Sequence, residues 1–191
     1  VQKYMDDMDS AALSYQAALS IRQKLAALDP TNMVWQRDLL VSLDRTGDIH
    51  FTANDFVAAL EAQDEARHIA EKLVSLNPDD PMGQSGLALA LKKIGDIKGA
   101  MGDSPGAREA LQSALALQVP LADAEPSNAE YQRDVARSQS ALAELDLAEG
   151  DPAAAEPRLA DAVARFTQIA GAAPTDTLAL RDLSIAQNIH V

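Results

Sequence analysis

The chain has 191 residues, of which 47% are hydrophobic and 24% are charged, proportions typical of a folded protein rather than a disordered one. Its 29 acidic and 16 basic residues give a net charge of −13, which argues against general attraction to nucleic acid or to an anionic membrane. The absence of cysteine excludes disulfides and thiolate metal sites. We expect a cytoplasmic location, although the lack of cysteine equally permits the periplasm.

The sequence repeats with a period of 48 residues. A fixed period of this size is typical of stacked helical or other supersecondary units, none of which can bury its apolar face alone. Two kinds of break recur at this spacing. The first is centred on a proline, at Asp29-Pro30, Asn77-Pro78, Glu125-Pro126 and Ala173-Pro174. The second is an Asn-Asp or Gly-Asp pair, at Asn54-Asp55, Gly102-Asp103 and Gly150-Asp151.

The breaks divide the chain into a partial period, 1–30, three full periods, 31–78, 79–126 and 127–174, and a last partial period, 175–191. Each full period is predicted to hold two helices, A and B. The predicted elements in chain order are helix B at 8–28, A at 33–53, B at 56–76, A at 81–101, B at 104–124, A at 129–149, B at 152–172 and A at 177–191. Side-chain oxygens that can cap each helix A stand two residues after the proline, at Asn32, Asp80, Asn128 and Asp176.

Four residues are unusual inside the predicted helices. Gly47 and Gly95 lie within helix A, where each predicts a bend or a close contact between helices. Pro120 and Pro157 lie within helix B, where we expect kinks or frayed turns.

The repeat resembles the tetratricopeptide repeat (TPR). Its Gly-Asp-aromatic turn is similar to the stretch from Asn54 through Asp55 and Phe56 to Leu60, and its closing proline corresponds to Pro78. The family repeat has about 34 residues, and two added heptads give the period of 48 seen here. The resemblance to long-helix bacterial TPR arrays covers the whole chain. It implies an all-α, right-handed α-solenoid of antiparallel helix pairs that forms one domain over residues 1–191 and binds a protein or peptide in its concave groove.

Both ends of the sequence align with the middle of helix A, because Val1 corresponds to Ile49 and Val191 to Gly47. We interpret the chain as a piece of a longer polypeptide. We also expect that its uncapped terminal helices allow homo-oligomers to form.

Motifs that would indicate catalysis, a cofactor or a metal are missing from the sequence. His50, His68 and His190 do not have the spacing of metal ligands, and no phosphate-binding glycine loop or nucleophile elbow is present. We therefore expect no enzymatic activity, no cofactor and no metal site in this chain.

In the TPR family, five positions of each helix A line the concave groove. Their transfer to this sequence places seven of the 16 basic residues in the groove but only two of the 29 acidic ones. The predicted groove residues for partner binding are Arg37, Arg45, Lys92, Lys93, Arg133, Arg137 and Arg181. Such a locally basic groove would suit an acidic segment of a partner.

A structural alternative exists for three of these residues. Arg37, Arg133 and Arg181 recur at the same repeat position, so they could equally pair with aspartates of a neighbouring turn and hold the repeats in register. Lys92, Lys93 and Arg137 do not recur, which makes this alternative weaker for them.

The favoured interpretation is a protein- or peptide-binding scaffold. The alternatives are a regulatory or sensing segment of a larger enzyme or signalling effector whose catalytic domain lies outside this chain, and a self-associating structural array. Nucleic acid is an unlikely partner at this net charge, and no membrane partner is expected.

Overall fold

A computed structural model describes residues 17–189 of the chain. Between these residues the chain is a succession of helices joined by short turns, with no strand. In chain order the helices are α1 (17–28), α2 (Met33–Thr52), α3 (Phe56–Leu76), α4 (Pro81–Ala100), α5 (Ser104–Ala124), α6 (Ala129–Ala148), α7 (Pro152–Ala172) and α8 (Thr177–Ile189). The even-numbered helices are the predicted helices A, and the odd-numbered ones are helices B.

The predicted all-α solenoid is confirmed, because each helix packs chiefly against the helix before it and the helix after it. The bounds of α3, α5 and α7 agree with those predicted for helix B, and α2, α4 and α6 end one residue before the predicted end of helix A. The predicted start of the first helix B at residue 8 and the predicted end of the last helix A, with His190, lie outside the described residues. The hand of the superhelix stays a prediction.

The proline breaks are followed by the predicted helix caps. The side-chain oxygen of Asn32 accepts hydrogen bonds from the amides of Val34 and Trp35, at 3.1 and 3.2 Å. Asp80, Asn128 and Asp176 accept equivalent bonds at the starts of α4, α6 and α8. Each cap satisfies backbone N–H groups that have no partner within the helix.

The second break needs a residue with left-handed backbone conformation. Asn54, Gly102 and Gly150 have φ values of 59°, 83° and 80°. The amide that follows each of them donates to a carbonyl five residues earlier, as in the 2.9 Å bond from Asp55 to His50. This is the Schellman arrangement, in which glycine or asparagine is favoured because a larger Cβ group would be strained.

The even-numbered helices form a continuous layer. Besides their contacts with sequence neighbours, α2 touches α4 and α4 touches α6. Among α3, α5 and α7, no two helices have contacts of this extent. Second neighbours approach most closely on the inner side of a curved stack, so we call the surface formed by the even-numbered helices the inner face.

The core between the layers is built largely from alanine. Small side chains recur with the period of the repeat and allow the helices to approach each other closely. Between them lie fully buried leucines such as Leu43, Leu73 and Leu142. The recurring buried alanines are Ala59, Ala107 and Ala155 at one position of helix B and Ala66, Ala114 and Ala162 at another.

Gly47 and Gly95 mark close contacts between a helix A and the helix B that follows it. A Cβ atom on Gly95 would lie 2.7 Å from Cγ of Leu111, and one on Gly47 would overlap the side-chain amide of Gln63. Of the two explanations predicted for these glycines, the close contact is therefore the one observed.

The two prolines inside helix B do not end their helices. α5 continues through Pro120 and α7 continues through Pro157, so the expected fraying is not observed. Each proline removes one backbone hydrogen bond, but the turns around them remain packed, with Leu121 and Leu159 buried in the core.

Candidate functional site

The predicted basic groove residues lie on the even-numbered helices, and all of them have a carboxylate oxygen within 4.0 Å. The positive charge that the sequence places on the inner face is therefore compensated locally. The pairs are Arg37–Asp80, Arg45–Asp48, Lys92–Asp96, Lys93 with Asp44 and Asp48, Arg133 with Asp176 and Asp182, Arg137–Asp182, and Arg181–Asp182.

Two of these pairs join one repeat to the next at equivalent positions. Arg37 reaches Asp80 at 2.6 Å, and Arg133 reaches Asp176 at 3.1 Å. In both cases the arginine of one helix A contacts the aspartate that caps the following helix A. Burial alone would raise the pKa of Asp80, but the hydrogen bond and charge of Arg37, with the amides of the capped helix, lower it below its usual range. This geometry fits the register-setting alternative for Arg37 and Arg133.

The remaining repeat junction lacks both charges. Ser85 stands where Arg37 and Arg133 stand in their repeats, and Asn128 stands where Asp80 and Asp176 stand. Asparagine caps α6 as aspartate would, so the junction keeps its cap and loses only the ion pair.

The sequence Gln-Arg-Asp occurs in helix A at 36–38 and again at 132–134, and the glutamine of this motif also has a structural role. Gln36 is buried and donates from Nε2 to the carbonyl of Ala26 at 3.1 Å. Gln132 makes the same bond to Ala122 at 2.9 Å. The motif thus ties helix A to the preceding helix B through glutamine and to the next repeat through arginine.

The three groove cations that do not recur come together at the centre of the inner face. Lys92, Lys93 and Arg137 line one cavity of about 360 Å³ between α2, α4 and α6. Lys93 bonds Asp48 at 2.6 Å and also contacts Asp44, while Lys92 bonds Asp96 at 2.5 Å. Apolar side chains complete the wall, namely Phe51, Leu89 and Ile97.

Arg45 and Arg181 are the most exposed of the predicted groove residues. Their side chains are 61% and 65% exposed, and their nearest carboxylate oxygens lie at 4.0 and 3.7 Å. At such exposure these contacts contribute little to stability, so both guanidinium groups are accessible to a partner. Arg181 lines a second cavity, which it shares with Lys92 and Arg137.

Exposed apolar side chains accompany the charges on the inner face. They occupy two positions of helix A in each repeat except the third, where Glu130 and Arg137 stand instead. Side chains of this size at recurring exposed positions are typical of a surface that binds another protein. The apolar residues are Val34 and Val41 in α2, Met82 and Leu89 in α4, and Leu178 and Ile185 in α8.

Polar residues that were not among the predicted groove residues also line the central cavity. Gln63 and Gln118 come from α3 and α5, and Asp134 comes from α6. The sequence does contain a signal for the two glutamines, because each is a polar residue at a position of helix B where the other repeats have apolar core residues. The equivalents of Gln63 are Leu111 and Leu159, and those of Gln118 are Ala70 and Phe166.

The described residues hold neither a metal-binding cluster nor a membrane-spanning helix. Within residues 17–189, no group of three or more His, Asp or Glu side chains is placed to hold a metal ion. Over the same residues, no helix combines the length and apolarity required to cross a membrane.

Comparison with known proteins gives a structural relative but no family. No protein-family model matches the chain, and no curated protein matches it. Among solved structures, the chain is similar to BtubC (BKLC) from P. vanneervenii, with a TM-score of 0.62 and 15% sequence identity. The similarity covers 95% of this chain and 71% of that one. At this level of identity, the comparison supports the helical fold alone.

Proposed function

We propose that this chain is a non-enzymatic, TPR-like scaffold that binds a segment of another protein along its inner face. The observation that carries the proposal is the set of exposed apolar side chains at equivalent positions of α2, α4 and α8. Val41, Leu89 and Ile185 occupy the same position of three repeats, and all are more than a third exposed. A stack of helices offers such a row to an extended or helical segment, whose apolar side chains would leave water on binding.

Acidic residues of the partner would be recognised at the exposed arginines. Arg45 and Arg181 are the groove cations with the most accessible charge. The other five are held closer to carboxylates and contribute to the shape and register of the groove as well as to its potential. Together with the absence of cysteine, this function is compatible with the cytoplasmic location predicted from the sequence.

The test is selection from a displayed library of random peptides, followed by binding measurements on variants of the chain. Val41→Glu combined with Met82→Glu places charge in the apolar row. The matched control is Val57→Glu combined with Leu76→Glu, which changes exposed apolar residues of α3 outside that row. All four positions are more than half exposed, so unfolding midpoints should change little in either variant.

We expect the selected peptides to bind the control variant as they bind the unchanged chain. Their affinity for the inner-face variant should fall by about tenfold or more, because charged groups in the apolar row must be desolvated on binding. An equal loss in both variants, or no loss in the inner-face variant, would contradict the proposal.

A further inference from the structure

Two glutamines that line the central cavity have side-chain oxygens without a hydrogen-bond donor. Gln63 and Gln118 are 1% and 4% exposed. The side-chain carbonyl oxygen of each is shielded from solvent and has no hydrogen-bond partner among residues 17–189. Nε2 of Gln63 donates to the carbonyl of Asp44 at 3.3 Å, which fixes its oxygen as the free acceptor. Buried acceptors without donors are rare in folded proteins because each has lost its hydration without replacement.

A carboxylate without an ion pair lines the same cavity. Asp134 is half-buried, and no Lys or Arg nitrogen of residues 17–189 lies within 4.0 Å of its oxygens. Burial, followed by the nearby charge of Glu130, raises the pKa of Asp134 to about 6, although Arg137, Lys92 and Arg133 act in the opposite direction. The carboxylate is thus held close to cations that it does not contact.

The cations of the cavity are already paired with carboxylates other than Asp134. Lys93 is bound between Asp44 and Asp48, and Lys92 by Asp96. Arg137 turns to Asp182, at 2.7 Å. The unpaired groups of the cavity are therefore hydrogen-bond acceptors and a carboxylate, which favour a cationic hydrogen-bond donor over an anion as the ligand.

We propose that this cavity binds one cationic side chain of the partner segment, with Asp134 as its counter-ion and the oxygens of Gln63 and Gln118 as acceptors. A guanidinium group fits better than an ammonium group, because it presents five N–H donors in a plane and can lie against the ring of Phe51. The cavity volume of about 360 Å³ is ample for one arginine side chain. This inference rests on the proposed function, since it assigns a recognised side chain to the same inner face.

The positions of the two glutamines indicate that the other repeats do not have an equivalent pair of polar cavity residues. They occupy different repeat positions, and in the neighbouring repeats those positions hold Leu111 and Ala70. A requirement of the fold would recur with the repeat, whereas these two polar residues from α3 and α5 meet at one cavity only once among the described residues.

The experiment uses capped alanine peptides with one central residue, which is arginine, its neutral isostere citrulline, or glutamate. Binding is followed by titration with NMR detection of the glutamine side-chain amides. We expect the arginine peptide to bind at least about tenfold more tightly than the citrulline peptide, because the charged pair and its hydrogen bonds are lost in the latter. The amide signals of Gln63 and Gln118 should shift only with arginine.

Matched variants separate the cavity from general charge. Asp134→Asn should reduce the preference for arginine over citrulline to less than about twofold. Glu144→Gln is the control, because Glu144 is another carboxylate of α6, which is exposed and lines neighbouring cavities but not this one. It changes the net charge equally and should leave the preference intact. Gln63→Leu introduces the residue of the neighbouring repeats and should weaken arginine binding without loss of the fold.

The pH dependence provides a second readout. Arginine binding should weaken as the pH falls through about 6, where Asp134 takes up a proton, and Asp134→Asn should abolish that dependence. The other charged groups that face Asp134 are Glu130, Arg133 and Arg137 from α6 and Lys92 from α4. Asp48, Lys93 and Asp96 line the same cavity and are present in both proteins. Any pH dependence of binding that they cause therefore remains in the Asp134→Asn variant, and the difference between the two proteins reports Asp134 alone.

Equal binding of the arginine and citrulline peptides, or tighter binding of the glutamate peptide, would overturn the assignment of a cation site. The second result would mean that Lys92, Lys93 and Arg137 form an anion site instead. Either result leaves the scaffold function standing if library peptides still depend on Val41 and Met82. Loss of that dependence with arginine binding intact would contradict the scaffold proposal alone.

Discussion

At the scale of single residues, Arg37 and Asp80 join two repeats by an ion pair that the chain itself omits at the next junction. The coupling between them can be measured by a double-mutant cycle of Arg37→Ser and Asp80→Asn, the residues found at the equivalent places of that junction. Asparagine keeps the cap of α4, so the cycle isolates the charge. We expect a coupling of about 0.5–1.5 kcal/mol in urea unfolding, because the pair is partly buried.

A cycle of Ser85→Ala and Asn128→Asp at the next junction is the control, since it keeps the cap of α6 and contains no ion pair between these positions. A coupling there as large as that of Arg37 with Asp80 would show that the ion pair does not set the register.

Asp134 should make the stability of the chain depend on pH. Its folded pKa of about 6 lies above the ordinary value of 3.8, so the folded state binds more protons than the unfolded state between these values. Stability should therefore fall as the pH rises from about 4 to 6 and remain lower above that. Asp134→Asn should raise the free energy of unfolding by on the order of 1–3 kcal/mol at neutral pH and by little near pH 4. A gain of equal size at both pH values would contradict this explanation.

At the scale of the helices, α4 offers a direct comparison of two glycines. Gly95→Ala would place a Cβ atom 2.7 Å from Leu111, whereas Gly99→Ala would meet only Cβ of Ala107 at 3.9 Å. We expect Gly99→Ala to stabilise the protein by about 0.5–1 kcal/mol through helix propensity. Gly95→Ala should destabilise it, because overpacking costs about 1–3 kcal/mol and exceeds that gain.

Thermal unfolding of both variants would decide between the two explanations of Gly95. If Gly95→Ala were as stabilising as Gly99→Ala, the contact between α4 and α5 could not be as close as the structure shows.

The helices could be predicted because their boundaries depend on local chemistry. The caps at Asn32 and Asp80 and the left-handed turns at Gly102 and Gly150 are encoded within a few residues of sequence, and the period repeats them. The ion partners of the groove cations could not be predicted in this way. Arg137, for example, pairs with Asp182, 45 residues further along the chain, which comes into reach only because α6 and α8 both pack against α7.

The count of basic and acidic residues at the predicted groove positions therefore missed carboxylates that reach the inner face from other positions. Of the carboxylates that bind the groove cations, Asp44 alone belongs to the counted positions, while Asp48, Asp96 and Asp182 reach the cations from other positions. The cavity residue Gln63 belongs to helix B, which the groove rule does not consider at all. Position rules transferred from a repeat family thus do not give the net potential of the inner face.

At the scale of the whole molecule, the described helices form a stack in which contacts hardly extend beyond sequence neighbours. The stability of such a stack is approximately a sum over repeats and their junctions. Leu111→Ala, which removes a fully buried side chain between α4 and α5, should cost about 2–5 kcal/mol. Hydrogen exchange should accelerate most in α4 and α5 and progressively less toward α7 and α8.

Uniform acceleration across α2 to α8 would contradict this picture, because it would mean that the stack unfolds as one cooperative unit. Ala110→Gly, also in α5, is the control. It removes little side-chain volume and destabilises the protein mainly through the low helix propensity of glycine.

The short turns between neighbouring helices also have a kinetic consequence. Because nearly all packing partners are close in sequence, little chain entropy must be lost before native contacts form, and topologies with local contacts fold in microseconds to milliseconds. Each helix pair can fold against the pair that precedes it in the chain, without waiting for later repeats. During synthesis, when the chain emerges at about 5–20 residues per second, each repeat can dock before the next one has been translated, so long apolar stretches need not wait unfolded at the ribosome.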